Sequence, residues 1–286
     1  MQQRVTVGVD GGGTGAHALD WAVQEASRRR VPLRLVNVAD LAAHEAALAP
    51  VPGAFYGLLL EQGRKALEQA QAHVAAVAPD LRVEVVERRG GRVPELVEES
   101  GRSAVLVLGA HESLVGARGV GSLVTHLAAR SRCPLVVVRS PLPAGTGPQR
   151  VVVGVDGSAC SLDAVPFAAE QASAAGALLQ VVMAVTAPLE LWVHEDFRTQ
   201  LVQEARCWVS ESVAGVRERH PDVRVEECVV AAHPVPALVD AGRGARLLVV
   251  GSHGRGAFAG MLLGSVSRAV LRRAECPVAV ARRSAP

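Results

Sequence analysis

Val5-Thr6-Val7-Gly8-Val9-Asp10-Gly11, near the start of the 286-residue chain, returns as Val151-Val152-Val153-Gly154-Val155-Asp156-Gly157. Three further blocks recur in the same order. Val93-Pro94-Glu95-Leu96-Val97 matches Val235-Pro236-Ala237-Leu238-Val239, and Ala104 to Gly109 matches Arg246 to Gly251 as an apolar run ending in glycine. Cys133-Pro134-Leu135-Val136-Val137-Val138 matches Cys276-Pro277-Val278-Ala279-Val280-Ala281. A chain written twice from one unit folds as two similar units, and half of this chain is long enough to bury a core of its own. Between the copies, Pro141 to Pro148 is rich in proline and glycine and continues neither a strand nor a helix. The sequence therefore predicts one domain over 1–140, a linker over 141–149 and a second domain over 150–286.

Within each copy, short Val/Leu-rich runs alternate with longer segments whose apolar residues fall at helical spacing, the pattern of βαβ units around a parallel sheet. The predicted strands cover about 4–9, 33–38, 82–87, 104–108 and 135–138 in the first copy. In the second they cover about 150–155, 178–185, 223–230, 246–250 and 277–281. Right-handed crossovers then place helices on both faces, giving two tandem open, doubly wound, five-stranded α/β sheets of Rossmann-like type. One helix of the second copy carries Leu201, Ala205, Trp208, Val209 and Val213 on a single stripe, so Trp208 is expected in the core, as are Trp21 and Trp192.

Composition excludes several function classes. Lys+Arg 30 against Asp+Glu 28 leaves no basic field for a nucleic-acid backbone. No apolar run reaches the roughly 18 residues needed to cross a bilayer, and the first residues lead straight into strand-like Val5-Thr6-Val7 without an export signal. The five cysteines are odd in number and never spaced C-x-x-C, so buried thiols in a reducing, cytoplasmic setting are expected.

In open α/β sheets, ligands sit beyond the carboxyl ends of the strands, where the strand order reverses. After the fourth strand of the second copy comes Gly251-Ser252-His253-Gly254-Arg255, then Gly264-Ser265-Val266-Ser267, in the spacing G-x-x-G-x9-G-S. Glycines let backbone amides approach a phosphate, and a helix start offers unpaired donors at its positive end. Ser265 and Ser267 can add hydroxyls, and Arg255 charge. Each residue also has a plainer reading, Ser265 as an N-cap and Gly251 as a turn residue. Asp10 and Asp156, each ending a first strand before glycine, likewise read as turn or capping residues or as ligand contacts.

These motifs make the whole chain resemble a tandem universal stress protein. That family is similar in the strand-ending V-G-V-D-G-S, matched here through Asp156, Gly157 and Ser158, in the G-x-x-G-x9-G-S/T element, and in a closing C-P-V strand. The resemblance implies ATP binding, with Mg²⁺ accompanying the phosphates. Asp156 would lie by the ribose and adenine, the glycine loop and its serines would hold the phosphates, and backbone groups near Ala184 and Val185 would face the adenine. The corresponding positions in the first copy are Asp10, Gly11, Val38, Gly109, Gly121 and Ser122. It also implies a nucleotide-dependent stress-response role without a dedicated catalytic activity, at most slow ATP hydrolysis. The repeat predicts pseudo-two-fold packing of the two copies, since homologous surfaces can pair isologously; the resemblance implies the fifth strand as the pairing edge, and a homodimer stays open.

The first copy departs from the pattern. Glu112 stands where Gly254 stands in the second, and the stretch from that position to Gly121-Ser122 is one residue shorter. A carboxylate about 4 Å from a phosphate repels it by about 1 kcal/mol even at water's dielectric. Val124 replaces Ser267, and Gly12 replaces Ser158. The second domain is therefore expected to be the better nucleotide site.

Two other classes stay open. Asp10-Gly11-Gly12-Gly13-Thr14 also resembles the first phosphate loop of actin-like sugar kinases, which joins the strands of a hairpin. An interaction protein that has lost nucleotide binding is the other. A Walker loop is absent, since Lys65 is the sole lysine, and the dinucleotide fingerprint is matched poorly. His111 and His253 occupy matching loop positions and are expected as hydrogen-bonding or solvated side chains, and His233 as structural.

Overall fold

The structure, a computed structural model, describes residues 4–10, 15–40, 53–110, 122–141, 149–186, 194–256 and 261–282, with the backbone alone for 53–56 and 122. The chain divides into two compact units, 1–141 with the last three residues, and 142–283.

In the first unit the order along the chain is β1 (Arg4–Gly8), α1 (Gly15–Arg29), β2 (Leu33–Ala39), α2 (Gly53–Val77), β3 (Val83–Arg89), α3 (Arg92–Ser100), β4 (Ser103–Gly109), α4 (Ser122–Arg130) and β5 (Leu135–Val138). The strands are ordered β3-β2-β1-β4-β5, and each recorded pairing is parallel. Val5, Thr6 and Val7 of β1 and Leu106 and Val107 of β4 are fully buried. A strand covered on both faces needs such a continuous apolar run rather than an alternating one. The sugar-kinase alternative fails here, because β1 leads into a helix and pairs parallel to both neighbours.

The second unit repeats this plan with β6 (Arg150–Gly154), α5 (Ala159–Ala175), β7 (Leu178–Val185), α6 (Glu195–Arg219), β8 (Val225–Ala231), α7 (Pro234–Ala241), β9 (Leu247–Gly251), α8 (Ser265–Arg273) and β10 (Val278–Ala281). Its order is β8-β7-β6-β9-β10, again parallel. The two doubly wound sheets expected from the sequence are thus observed. The strands β3 and β8 are only half-buried and carry Glu84, Glu87, Arg88 and Arg89, and Glu226 and Glu227, charges that discourage pairing with another chain.

Local chemistry fixes the helix ends. The Ser158 side chain caps α5 by accepting from the Ser161 amide, and Gly176 closes the helix in the left-handed region at φ 57°. His233 caps α7, its Nδ1 accepting from the Val235 amide at 3.3 Å, the structural role expected of it. Trp21 is buried in α1 as expected.

The expectation for Trp208 is corrected. On α6 the buried stripe is Ala205, Val209, Val213 and Val216, while Trp208 is 47% exposed. Trp208 lies one residue, or about 100° of helix turn, from the centre of that stripe, which is near enough to count as apolar spacing and far enough to face out. In α8, Ser267, Val270 and Leu271 are buried, with Val266 and Ala269 half-buried beside them.

Gly11, Gly121, the side chain of Ser122, His111, Glu112 and the rest of that loop, Gly12, Trp192 and the segment 142–148 lie outside the described residues.

Candidate functional site

In the second sheet the chain runs from β6 out to β7 and β8 on one side and to β9 and β10 on the other. The order therefore reverses between β6 and β9, and the loops that follow these two strands meet beyond their carboxyl ends.

Asp156 is the centre of the first loop. Its Oδ1 accepts from the Ser158 amide at 3.0 Å and the Ser158 hydroxyl at 2.6 Å, and its Oδ2 accepts from the Arg255 amide at 3.0 Å. Burial alone would push the carboxyl pKa up, but the Ser158 hydroxyl and amide and the Arg255 amide outweigh it and hold Asp156 below the ordinary carboxylate value. The group is thus ionised and fixed in place at neutral pH. Gly157 turns the chain at φ 78°, and a Cβ there would also run into the Arg255 guanidinium. A Cβ on Gly254 would run into Asp156 Oδ2. The glycine of the second loop is therefore spaced, in the first place, to admit the aspartate of the first.

The second loop is closed by its own polar groups. A Cβ on Gly251 would stand 2.6 Å from the Cys160 carbonyl oxygen and 2.9 Å from the Ser161 nitrogen, so the end of β9 abuts the first turn of α5. The buried Ser252 approaches His253 Nδ1 at 3.1 Å, and His253 Nε2 lies 2.9 Å from the Met261 carbonyl. One tautomer satisfies both contacts, with Nε2–H donating to Met261 and Nδ1 accepting from Ser252. The Gly264 amide donates to the Ser252 carbonyl at 2.9 Å, and the Ser267 hydroxyl donates to the Gly251 carbonyl at 2.6 Å. That hydroxyl, expected toward phosphate, is turned inward and ties helix to strand.

The start of α8 remains open. Its N-cap is Gly264, which has no side chain to bond an amide, so Ser265 is the first helical residue rather than the cap. The first helical bond runs from the Arg268 amide to the Gly264 carbonyl at 3.0 Å. The amides of Ser265, Val266 and Ser267 consequently have no acceptor within the helix, and together with the helix dipole they make a positive surface.

Around these groups lies a cleft of about 500 Å³, a size typical of small-molecule sites. Its wall brings together Asp156, Ala184, Val185, Gly251, His253, Gly254, Arg255 and Gly264 to Ser267. Gly157, Ser158 and Ser252 stand behind that wall and hold it. Sequence reasoning missed Met183, Leu201, Glu204 and Trp208, which also line it. The Arg255 guanidinium lies 5.1 Å from the Trp208 ring centroid.

In the first unit the equivalent reversal lies between β1 and β4. Asp10, Val38 and Gly109 line a cavity of about 130 Å³ there. Asn37 holds the place in β2 that Met183 holds in β7, one residue beyond the partner of the strand-ending glycine. Its Nδ2 donates to the Val9 carbonyl at 2.7 Å, and Gly63 of α2 leaves room for it, since a Cβ on Gly63 would collide with Asn37 Oδ1. Among the described residues no group of three or more His, Cys, Asp or Glu is placed to hold a metal ion, and no helix is long and apolar enough to cross a membrane.

Comparison with known proteins agrees with this architecture. The model of the universal stress protein family matches residues 1–139 and again 148–282. Universal stress protein Rv2005c of Mycobacterium tuberculosis is 38% identical over 293 residues, covering 99% of this chain and 98% of its own. Universal stress protein Rv1996 of the same organism is 34% identical over 306 residues, covering 97% and 94%. The crystal structure of a universal stress protein from Archaeoglobus fulgidus superposes with a TM-score of 0.74 at 19% identity, over 99% of this chain and 97% of that one, a likeness of fold. With its fold repeated and its family model matched in both halves, the chain belongs to the universal stress protein family in its two-domain form.

Proposed function

We propose that the second unit binds ATP in the cleft between the ends of β6 and β9, and that the protein acts as a nucleotide-dependent regulator in a stress response. The observation that carries this reading is the uncapped start of α8. Three backbone amides and a positive helix end border a cleft of about 500 Å³, with glycine where a cap would otherwise block the approach. A polyphosphate supplies the missing acceptors. Asp156 Oδ1 already accepts twice, whereas Oδ2 accepts once and keeps a lone pair that can take a ribose hydroxyl, while Ala184 and Val185 end β7 where backbone groups can meet the adenine edge. Both Asp156 oxygens are already engaged by protein donors, so a Mg²⁺ would be held through phosphate oxygens and water, as that ion commonly is.

The second unit is the better site in this reading. Its cleft exceeds the first unit's cavity, about 500 against about 130 Å³. The role is one of binding, with the loaded and empty loops presenting different surfaces to a partner.

Calorimetric titration of the purified chain with ATP and Mg²⁺ tests this. Binding is expected in the unaltered protein and in Gly109→Ala, and loss of at least about tenfold in affinity in Gly254→Glu and in Asp156→Ala, each the worth of one charge-assisted contact. Unchanged affinity in both second-unit variants, or no binding in the unaltered chain, overturns the assignment. The latter result would favour the rival reading, an interaction protein without nucleotide.

A further inference from the structure

Two side chains at the mouth of the second unit's cleft are arranged in a way that a phosphate cradle does not require. Trp208 is 47% exposed on the cleft wall, whereas Trp21 is buried at 3%. The matching position of α2, a helix of the same 25-residue length, is the buried Ala66. The large aromatic therefore belongs to the second unit's site and not to the shared framework. Over its ring, at 5.1 Å from the centroid, lies the guanidinium of Arg255.

Arg255 is anchored at one end and held loosely at the other. Its amide donates to Asp156 Oδ2 at 3.0 Å, which fixes its Cα beside the glycine loop. Its guanidinium spans from the backbone of Gly157, where a Cβ would collide with it, to the indole on α6. No carboxylate pairs with this guanidinium among the described residues. A cation resting on an exposed aromatic face is held weakly. A phosphate oxygen offers it a charge-assisted, forked hydrogen bond, which is stronger.

We propose that Arg255 and Trp208 form a charge-sensing latch that selects polyphosphate ligands over uncharged nucleosides. With the cleft empty the guanidinium rests on the indole. A ligand bearing terminal phosphates draws it off and leaves the Trp208 face uncovered, whereas a nucleoside offers no competing anion and leaves the pair closed. This rests on the cleft being a nucleotide site.

The test uses the full chain, with affinity measured by calorimetry and tryptophan emission followed in the same titrations, for ATP and for adenosine. ATP is expected to change the emission and adenosine to leave it unchanged. The change disappears in Trp208→Phe, which identifies its source, and in Arg255→Ala. Arg255→Ala also weakens ATP binding about tenfold, the loss of one charge-assisted bond, and shifts adenosine affinity less than about twofold. The Arg255 amide remains in Arg255→Ala, so the loop's tie to Asp156 is retained, and circular dichroism checks the fold. ATP binding without a Trp208 signal, or with full affinity in Arg255→Ala, overturns the latch and leaves the nucleotide site standing. Absence of ATP binding in the unaltered chain overturns both.

Discussion

Glycines at the site differ in what a methyl group would strike, and that difference sorts their roles. At Gly251 the obstacle is backbone, the Cys160 carbonyl at 2.6 Å, so β9 and α5 would have to part. Gly251→Ala is expected to lower stability by about 1–3 kcal/mol, read from denaturant unfolding. At Gly254 the obstacle is the Asp156 carboxylate, a side chain that can give way by releasing the Arg255 amide rather than by parting backbone. Gly254→Ala is expected to cost less stability than Gly251→Ala and more ligand affinity, and equal effects on both measures would contradict this division. The cysteines separate by exposure. Burial pushes the thiol of Cys133 up to about 12, against a lowering contact from Ser131, and that of Cys276 up to about 11, whereas Cys207 is exposed. At pH 8 the thiol of Cys133 stays protonated, the unreactive form. Alkylation of the folded protein followed by peptide mapping should therefore modify Cys207 well before Cys133 or Cys276, and early labelling of Cys133 would show that its burial is not maintained. The motifs placed Asp156 and Gly254 at neighbouring strand ends, and both line one cleft wall. Their mutual fit was not legible, because the contact between Gly254 and Asp156 joins residues far apart in the chain. Trp208 was misplaced for a related reason: apolar spacing on a helix marks a stripe but not its edge.

At the level of elements, the strands were legible almost to the residue because their Val/Leu runs are bounded by glycine, proline and charge. Most predicted ends differ from the observed ones by a residue or two, within the range over which strand ends are ambiguous. Charged groups inside the first unit gave no such signal. Glu99 of α3 is 1% exposed. It accepts from Arg34 of β2 at 2.7 and 3.1 Å and from Arg88 of β3 at 2.6 and 3.0 Å. Burial alone would raise its pKa, but the two guanidiniums outweigh that and lower it. A carboxyl depressed in the folded state contributes its full stabilisation above the unfolded value, here 4.5, and loses it as pH falls through the folded value. Unit 1 is therefore expected to lose stability as the pH drops below about 4.5, with the loss flattened in Glu99→Gln. Near neutral pH, Glu99→Ala should cost about 3–5 kcal/mol by stranding buried charge. A pH–stability curve identical in Glu99→Gln and the unaltered chain would contradict the role given to this carboxylate. In α8, Ser267→Ala removes a single buried hydrogen bond to Gly251 and should lower stability by about 1 kcal/mol.

Across the whole molecule, one blueprint used twice places, among the described residues, a cleft of about 500 Å³ at the second unit's strand reversal and a cavity of about 130 Å³ at the first's. The repeat foretold two sheets of the same order. It also located the departures of the first copy in its glycine loop, where Glu112 and the shortened spacing lie outside the described residues. The Asn37 and Gly63 pair was not legible, because an asparagine in a Val/Leu-rich strand has no meaning until the helix residue opposite it is known. Asn37→Ala should open the first unit's cavity while leaving the Val9 carbonyl without its partner, at a cost of about 1–3 kcal/mol by thermal or denaturant unfolding. An unchanged stability would show that Asn37 is not needed there. The most direct measurement of the central claim is amide NMR on isotope-labelled protein titrated with ATP and, separately, with adenosine. The backbone signals of Ser265, Val266 and Ser267 should move with ATP and saturate at its calorimetric affinity, while adenosine shifts those of Ala184 and Val185 and spares the α8 amides. ATP binding that leaves the signals of Ser265, Val266 and Ser267 where they were would contradict a phosphate site at the start of α8.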